Sequence, residues 1–153
     1  PGEGDHSGAR ARVGAMTHPL VSVPRVLETC LYAPNLVEAG RFYEEVLGLA
    51  PFAHDEGRHI FYRVGQGVFL LFDPMGTSVS NGSIPAHGTN GPGHVAFAVA
   101  GEELEPVRGR LEARGVVIDA DVVWPGGGRS IYLRDPAGNS VELTTPSIWG
   151  LED

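Results

Sequence analysis

The chain has 153 residues, of which 42% are hydrophobic, and its formal charge is −8 at pH 7. This length allows one core or two small fused cores, so we expect a single globular unit. The excess of acid argues against nucleic acid or an anionic membrane as a partner, because both need clustered cations. All eleven basic residues are Arg, and a chain without Lys can form neither a Schiff base nor a P-loop. The single Cys30 excludes an internal disulfide, and with no apolar run long enough for a membrane helix we expect a cytoplasmic protein.

The first half of the chain begins with a segment that lacks apolar periodicity, and we expect residues 1–22 to form a flexible N-terminal tail. Residues 26–32 then alternate, which predicts a strand with Glu28, Cys30 and Tyr32 on one face. Asn35 can cap a helix that Gly48 ends. Further along the chain, 58–64 and 68–72 predict a hairpin, and the Gly- and Pro-rich stretch that follows predicts a long connector covering a site.

The second half shows the same order of elements. In the strand that opens at Gly93, His94 shares one face with small residues, which leaves room for a ligand, while the bulky face should meet a helix. That helix ends at Gly115, and Pro106 is expected in its first turn. Three more strands are predicted at 116–124, 130–134 and 140–144.

The two halves therefore form an internal repeat, offset by about 65 residues. We expect one domain over 23–147, made of module one (23–74), a connector (75–92) and module two (93–147), with a short C-terminal tail at 148–153. Glu28 and His94 occupy equivalent points in the two opening strands, and Glu142 lies in the last strand of module two. Three side chains able to bind a metal thus fall at repeat-related positions.

Several segments resemble the vicinal oxygen chelate superfamily, which includes glyoxalase I, extradiol dioxygenases and bleomycin-binding proteins. They are ETCLY at 28–32, RFY at 41–43 followed by VLGL at 46–49, GHVAF at 93–97, and DPAGNSVEL at 135–143. The resemblance implies an α+β fold of two βαβββ modules, whose curved sheets surround a cup-shaped site.

The resemblance also implies a metal site, because enzymes of the superfamily place ligands in the first and last strands of each module. Here those positions carry Glu28, His94 and Glu142. The fourth position, in the last strand of module one, carries Phe69 or Leu70 depending on the alignment, and neither residue can bind a metal. Two carboxylates and one imidazole suit a single divalent ion such as Mn, Fe, Zn, Ni or Co, with positions left open for substrate.

The implied function is that of a divalent-metal-dependent enzyme that chelates two oxygens of a small oxygen-rich molecule. It would be a glyoxalase-like lyase or isomerase, or an extradiol-type dioxygenase. The alternative is a metal-free protein that binds an antibiotic of the bleomycin type and confers resistance, with Glu28 and Glu142 attracting a cationic ligand. Members of the superfamily pair their modules within or between chains, so a homodimer is expected. If the pairing is between chains, Glu28 meets His94 and Glu142 of the second copy.

Further candidate residues have weaker signals. Glu142, Glu28 and His59 are the candidates for moving a proton, although a His on a strand is more often structural. Five residues are candidates for contact with a substrate: Tyr32, Tyr132, Arg129, Phe69 and Leu70. His87, on the connector, could reach the mouth of the pocket.

Overall fold

The computed structural model describes residues 23–80, 82 and 84–152, so the N-terminal tail predicted for 1–22 lies outside the described residues. Two four-stranded sheets form the framework. In chain order the strands are β1 (Glu28–Tyr32), β2 (Pro51–Asp55), β3 (His59–Val64), β4 (Gly67–Phe72), β5 (His94–Ala98), β6 (Ala120–Val123), β7 (Arg129–Arg134) and β8 (Ser140–Thr144).

Both sheets have the same topology, which confirms the predicted α+β fold of two repeated modules. The strand order is β1-β4-β3-β2 in module one and β5-β8-β7-β6 in module two. In each sheet the opening strand runs parallel to the last strand, and the remaining pairs are antiparallel. The sheets are curved and remain open.

The helices follow the opening strands. Helix α1 (Leu36–Arg41) continues as a wider π-type turn (Phe42–Val46), and the side-chain oxygen of Asn35 caps it by accepting a hydrogen bond from the Glu38 amide at 3.1 Å. Helix α3 (Gly101–Ala113) is its counterpart in module two. Because α3 begins at Gly101, Pro106 lies inside the helix and not in its first turn, contrary to expectation.

Two short helices and one strand were not predicted. Helix α2 (Pro74–Thr77) occupies the start of the connector, where the Asp73 carboxylate caps it, and a 3₁₀ turn (Pro146–Trp149) follows β8. Strand β2 was missed because most of its residues are exposed, so the sequence shows no apolar alternation there. It is an edge strand and has Pro51 as its first residue, a position where the missing amide costs no sheet hydrogen bond. Within the predicted segment 116–124, only Ala120–Val123 forms a strand.

One continuous core joins the two modules. It contains the inward residues of both sheets together with α1 and α3 residues such as Tyr43, Leu104 and Leu111. Strands β1 and β5 lie side by side within the chain, and Phe69 of β4 meets Phe97 of β5 edge to face at 5.6 Å. Helices α1 and α3 therefore cover the same side of both sheets and leave the opposite side open. We call this opposite side the concave face.

A buried polar cluster fastens the modules together at the turn between β7 and β8. One Asp135 carboxylate oxygen accepts from the amides of Ala137 and Asn139, at 2.9 and 2.8 Å. The other accepts from the Asn139 side chain and from the Tyr43 hydroxyl of module one, both at 2.8 Å. Asn139 also donates to the Tyr32 carbonyl and accepts from the Gly93 amide. We call this cluster the Asp135–Asn139 clasp. Part of the DPAGN sequence therefore has a structural role, because its side chains link the two modules through hydrogen bonds.

None of the helices in the described part of the chain has the length and apolar character needed to cross a membrane.

Candidate metal-binding and substrate site

The strand registers show which side chains share the concave face. Residues paired directly across neighbouring strands point to the same side of a sheet, and alternation extends this along each strand. In module one the concave face is formed by Glu28, Cys30, Tyr32, Ala53, Asp55, His59, Phe61, Arg63, Val68, Leu70 and Phe72. In module two it is formed by His94, Ala96, Ala98, Ala120, Val122, Ser130, Tyr132, Arg134, Ser140, Glu142 and Thr144.

His94 and Glu142 form a close pair on the concave face of module two. His94 Nε2 lies 3.3 Å from Glu142 Oε2, and the side chains are 52% and 8% exposed, respectively. The second carboxylate oxygen, Oε1, is buried and has no hydrogen-bond partner among the residues that the structure describes. Leaving a buried polar atom without a partner costs free energy, and this usually indicates a functional role or an additional bound group.

The tautomer of His94 makes the pair suitable for a cation. Nδ1 lies 3.1 Å from the Ser140 carbonyl oxygen, and because a carbonyl can only accept, Nδ1 must carry a proton. In the neutral imidazole the lone pair of Nε2 then faces the carboxylate oxygen, an arrangement that is unfavourable unless a proton or a metal ion lies between them. A ligating His whose other nitrogen donates to a backbone carbonyl is the usual outer-shell pattern of metal sites. The two residues therefore fit a divalent ion.

Glu28 lies on the same kind of surface in module one but does not join this pair. It is exposed at the start of β1, opposite Val68 of β4. Among the residues that the structure describes in one chain, no three His, Cys, Asp or Glu side chains come close enough to hold a metal ion. The structure thus brings two of the three predicted ligands together, while the third stands on the neighbouring module.

The strand registers settle which residue of β4 corresponds to Glu142. Glu142 pairs with Ala96 of β5 and with Tyr132 of β7, and Leu70 pairs in the same way with Cys30 of β1 and Phe61 of β3. Leu70 is therefore the structural equivalent of Glu142.

Phe69 points to the other side of the sheet and is only 1% exposed. It packs on Tyr43, Tyr62 and Phe97 in the core. Phe69 therefore lies in the core and not on the concave face.

Arg129 is also placed away from the concave face. Its guanidinium binds Asp121 on β6 at 2.5 and 2.7 Å and Glu105 on α3 at 2.6 Å, on the helix side of the sheet. Three of its donors are therefore engaged on the helix side, and a contact of Arg129 with a substrate stays a prediction.

Tyr132 does lie on the concave face. Its ring stacks on His94 at 6.4 Å between centroids, and burial, with the Glu142 carboxylate nearby, raises the pKa of its hydroxyl.

The connector reaches the concave face of module one through His87. Its Nδ1 lies 2.6 Å from the Tyr32 hydroxyl, and its ring meets Phe72 at 4.7 Å. Burial, followed by the neighbouring Cys30 thiol, raises the pKa of Tyr32 to about 12. The Tyr32 hydroxyl therefore stays protonated at neutral pH and forms a hydrogen bond beneath the connector.

An aromatic wall covers the rest of this face. The His59 ring stacks on Phe61 with 4.0 Å between centroids, and Phe61 meets Phe72 edge to face at 5.5 Å. At the outer end, Phe52 packs near Phe61, and the Arg63 guanidinium lies 4.4 Å from the Phe52 ring centroid. Burial lowers the pKa of His59, which favours its neutral form. Sequence reasoning identified His59 but missed this wall, although alternation along β3 already places Phe61 on the same face.

Comparison with known proteins agrees with this architecture. The sequence model of the Glyoxalase/Bleomycin resistance protein/Dioxygenase superfamily matches residues 25–143. A crystal structure of lactoylglutathione lyase from Agrobacterium tumefaciens is 38% identical, with a TM-score of 0.81, and the match covers 84% of this chain and 98% of that one.

Two further solved structures have lower sequence identity. A glyoxalase-related enzyme from Fulvimarina pelagi is 25% identical with a TM-score of 0.64, over 82% of this chain and 91% of that one. A glyoxalase/bleomycin resistance protein/dioxygenase from Nocardioides is 24% identical with a TM-score of 0.65, over 82% and 85%. No curated protein matches the chain. The family match spans most of the chain, and the two modules have the topology expected of it, so the protein belongs to the Glyoxalase/Bleomycin resistance protein/Dioxygenase superfamily.

Proposed function

We propose that the protein is a divalent-metal-dependent lyase or isomerase that acts on a small oxygen-rich molecule, and that its active form is a homodimer. The observation that carries the proposal is the His94–Glu142 pair, in which Nε2 lies 3.3 Å from one carboxylate oxygen while the other is buried without a partner among the described residues. The 38% identity to a lactoylglutathione lyase, over almost the whole of that chain, favours lyase or isomerase chemistry over dioxygenase chemistry.

The proposed metal ligands are His94 and Glu142 of one copy and Glu28 of a second copy. Within one chain, β1 and β5 lie side by side, so neither module covers the concave face of the other. Glu28 and His94 are both exposed on these open faces. A second copy that laid module one over module two would add Glu28 to the pair and would close the site from water.

The residues divide the chemistry between them. When bound, a divalent ion polarises substrate oxygens and stabilises a developing oxyanion. Ser140 fixes the orientation of His94 through its carbonyl. Glu142 is the residue to which we assign proton transfer with the substrate, since it is a carboxylate on the concave face beside His94. The corresponding residue of module one is Leu70, which cannot accept a proton, so we assign proton transfer to the Glu142 side of the site.

A metal measurement tests the proposal. Protein purified without a nickel column should contain about one divalent ion per chain by mass spectrometry, and Glu28→Ala, His94→Ala and Glu142→Ala should each lose it. His54→Ala and Glu56→Ala, which change exposed residues of the same types away from the proposed ligands, should keep it. Wild-type protein that binds no Mn, Fe, Zn, Ni or Co would refute the metal-dependent function.

Mixing two variants tests whether the site is shared between chains. Glu28→Ala and Glu142→Ala protein would be unfolded together and refolded. A mixed dimer would have one intact site and one doubly altered site, so metal content should recover to about a quarter of the wild-type value if subunits pair at random. No recovery, despite verified mixed dimers, would show that the site is not formed between chains.

The aromatic wall of module one favours a second function, which is metal-free binding of a drug-like molecule. Phe61, Phe72 and the neutral His59 offer stacking surfaces, and Leu70 occupies the position where a fourth ligand would lie. If the metal experiment fails, binding of a bleomycin-type antibiotic by calorimetry is the next test. Loss of that binding in Phe61→Ala, with binding kept in His54→Ala, would support it.

A further inference from the structure

A cavity in the described part of the chain lies apart from the His94–Glu142 pair. It has a volume of about 450 Å³ and opens between the end of α1 with its π-type turn, the end of α3 and the end of β5. A volume of this size lies in the range of small-molecule sites. Its lining includes none of the residues proposed above as metal ligands or proton carriers, so it forms a second and independent site on the molecule.

Apolar side chains from both modules form the walls. Val46, Leu47 and Leu49 line one side, and Val99, Val107 and Val116 line the other. All six are partly buried and pack on the edge of the core without being closed off by it. Protein interiors are normally close-packed, so an apolar cleft of this volume is a place where atoms of a ligand would gain contacts that the chain does not supply.

Two guanidinium groups stand at the rim. Arg110 and Arg114 line the cavity and are exposed, and none of the lining residues is acidic. One Arg114 nitrogen donates to the Glu45 carbonyl at 3.2 Å, which holds the side chain across the junction of the modules. Arg110 makes a long contact, 3.7 Å, with the exposed Glu103. Exposed ion pairs of this kind are weak, so a ligand anion can displace it.

We propose that this cavity binds an amphipathic monoanion, a short or medium acyl chain that ends in a carboxylate. The acyl chain of the ligand lies between the valine and leucine side chains of the two modules, and its carboxylate binds Arg110 and Arg114 at the rim. The positive charge of the rim contrasts with that of the protein as a whole, whose formal charge is −8. Because the cavity touches both modules, occupation strengthens their contact and stabilises the folded protein.

Calorimetry with three ten-carbon probes tests the proposal. The full chain is titrated with decanoate, decanol and decyltrimethylammonium, each below the concentration at which it aggregates. Decanoate should bind with a stoichiometry of one per chain and raise the melting temperature, while the neutral and cationic probes should bind at least tenfold more weakly. Equal binding of decanol and decanoate would overturn the assignment of an anion site.

Variants locate the binding. Arg110→Gln and Arg114→Gln should each weaken decanoate binding by about tenfold, since each removes a charged hydrogen-bond donor. Arg134→Gln, which removes an exposed Arg that pairs with Asp119 and does not line the cavity, is the matched control and should bind as the wild type does. Val107→Trp, checked for folding by circular dichroism, should fill the cleft and abolish binding.

Two further outcomes would overturn the proposal. Decanoate binding that is lost in Glu142→Ala and kept in Arg114→Gln would place the probe on the concave face. Absence of decanoate binding, combined with a change of oligomeric mass in Val107→Trp, would show that a second copy of the chain covers the cleft.

Discussion

The Asp135–Asn139 clasp offers the sharpest test of how the two modules hold together, and Tyr43→Phe is the perturbation that isolates it. The substitution removes one hydroxyl from a fully buried ring and keeps the ring's packing on Phe42, Phe69 and Tyr62. The lost atom is the donor to Asp135 Oδ2 at 2.8 Å. Burial, together with the Asp135 charge, raises the pKa of the Tyr43 hydroxyl, so it is a donor throughout the accessible pH range.

The expected magnitude follows from the charge of the acceptor. A hydrogen bond to a charged group contributes about 1.5–3 kcal/mol, and the buried Asp135 oxygen would keep only its bond from Asn139. We therefore expect Tyr43→Phe to lower the free energy of unfolding by about 2 kcal/mol. Tyr62→Phe is the matched control, because the Tyr62 hydroxyl donates at 3.2 Å to the exposed Glu44, and this weaker bond should be worth less than about 1 kcal/mol.

Urea denaturation, monitored by circular dichroism, measures the free energy of unfolding lost in Tyr43→Phe and in Tyr62→Phe. The comparison holds if the slope of this free energy against urea concentration is the same in the wild type and in both variants. A double-mutant cycle with Asp135→Asn then gives the coupling between the two side chains, which should exceed about 1 kcal/mol. If Tyr43→Phe is no more destabilising than Tyr62→Phe, or if the cycle shows no coupling, then the clasp does not hold the modules together as we argue.

Two other predictions concern glycines and the pH dependence of stability. Gly93→Ala would place a Cβ 2.7 Å from the buried Leu31 side chain and should destabilise the protein by about 1–3 kcal/mol. Gly109→Ala, with open space around it in α3, should stabilise the protein by about 0.5–1 kcal/mol. A higher melting temperature for Gly93→Ala than for Gly109→Ala would refute the packing at the β1–β5 junction. Because burial lowers the pKa of His59 from its ordinary value of 6.5, the unfolded chain takes up the proton first as pH falls below that value, so stability should fall with pH until folded His59 is protonated as well. Urea titrations between about pH 5 and pH 7 should show a smaller fall in the free energy of unfolding for His59→Phe than for the wild type. The variant His54→Gln, which changes an exposed His, should keep most of the wild-type fall. An unchanged fall in His59→Phe would contradict the role given to His59.

Much of the fold could be predicted because the local signals and the tertiary structure agree. Alternation along β1 and β5 placed Glu28 and His94 on the same kind of face, and the Asn35 cap and the Gly48 stop correctly bounded the first helical segment. The internal repeat supplied the long-range information that a single strand pattern lacks.

The strand that was missed lacked such a signal. Strand β2 is held by its partner β3, and its own residues are mostly exposed, so no apolar period marks it. The position of Phe69 stayed open for a different reason. The two alignments of module one differ by one residue, and such a shift reverses the face that a strand residue occupies. Arg129 was expected just before a strand at 130–134, and in the structure it is the first residue of β7. Only the pairing of Leu70 with Cys30 and of Ser130 with Thr144 fixes the register.

The candidate site was predicted in its residue types and only in part in its geometry. Sequence reasoning identified His94, Glu142 and Glu28, and the structure shows the first two as a pair. The hydrogen bond from His94 to the Ser140 carbonyl, which sets the tautomer, depends on a backbone position that side-chain patterns do not encode. The contact between His87 and Tyr32 depends on the path of the connector, which contains little apolar pattern.

The difference between the two modules is the strongest argument about how the site works. At equivalent positions of one topology, module two carries Glu142 and Tyr132 where module one carries Leu70 and Phe61. A site made of two copies of module two would have two polar faces and no aromatic wall, and one made of two copies of module one would lack the His94–Glu142 pair. Pairing module two of one copy with module one of the other gives a polar wall for the reacting oxygens, from module two. Opposite it, module one supplies an apolar and aromatic wall for the rest of the ligand. We therefore expect the repeat to have diverged so that each active site needs both modules, and the recovery of metal content in mixed dimers tests this expectation directly.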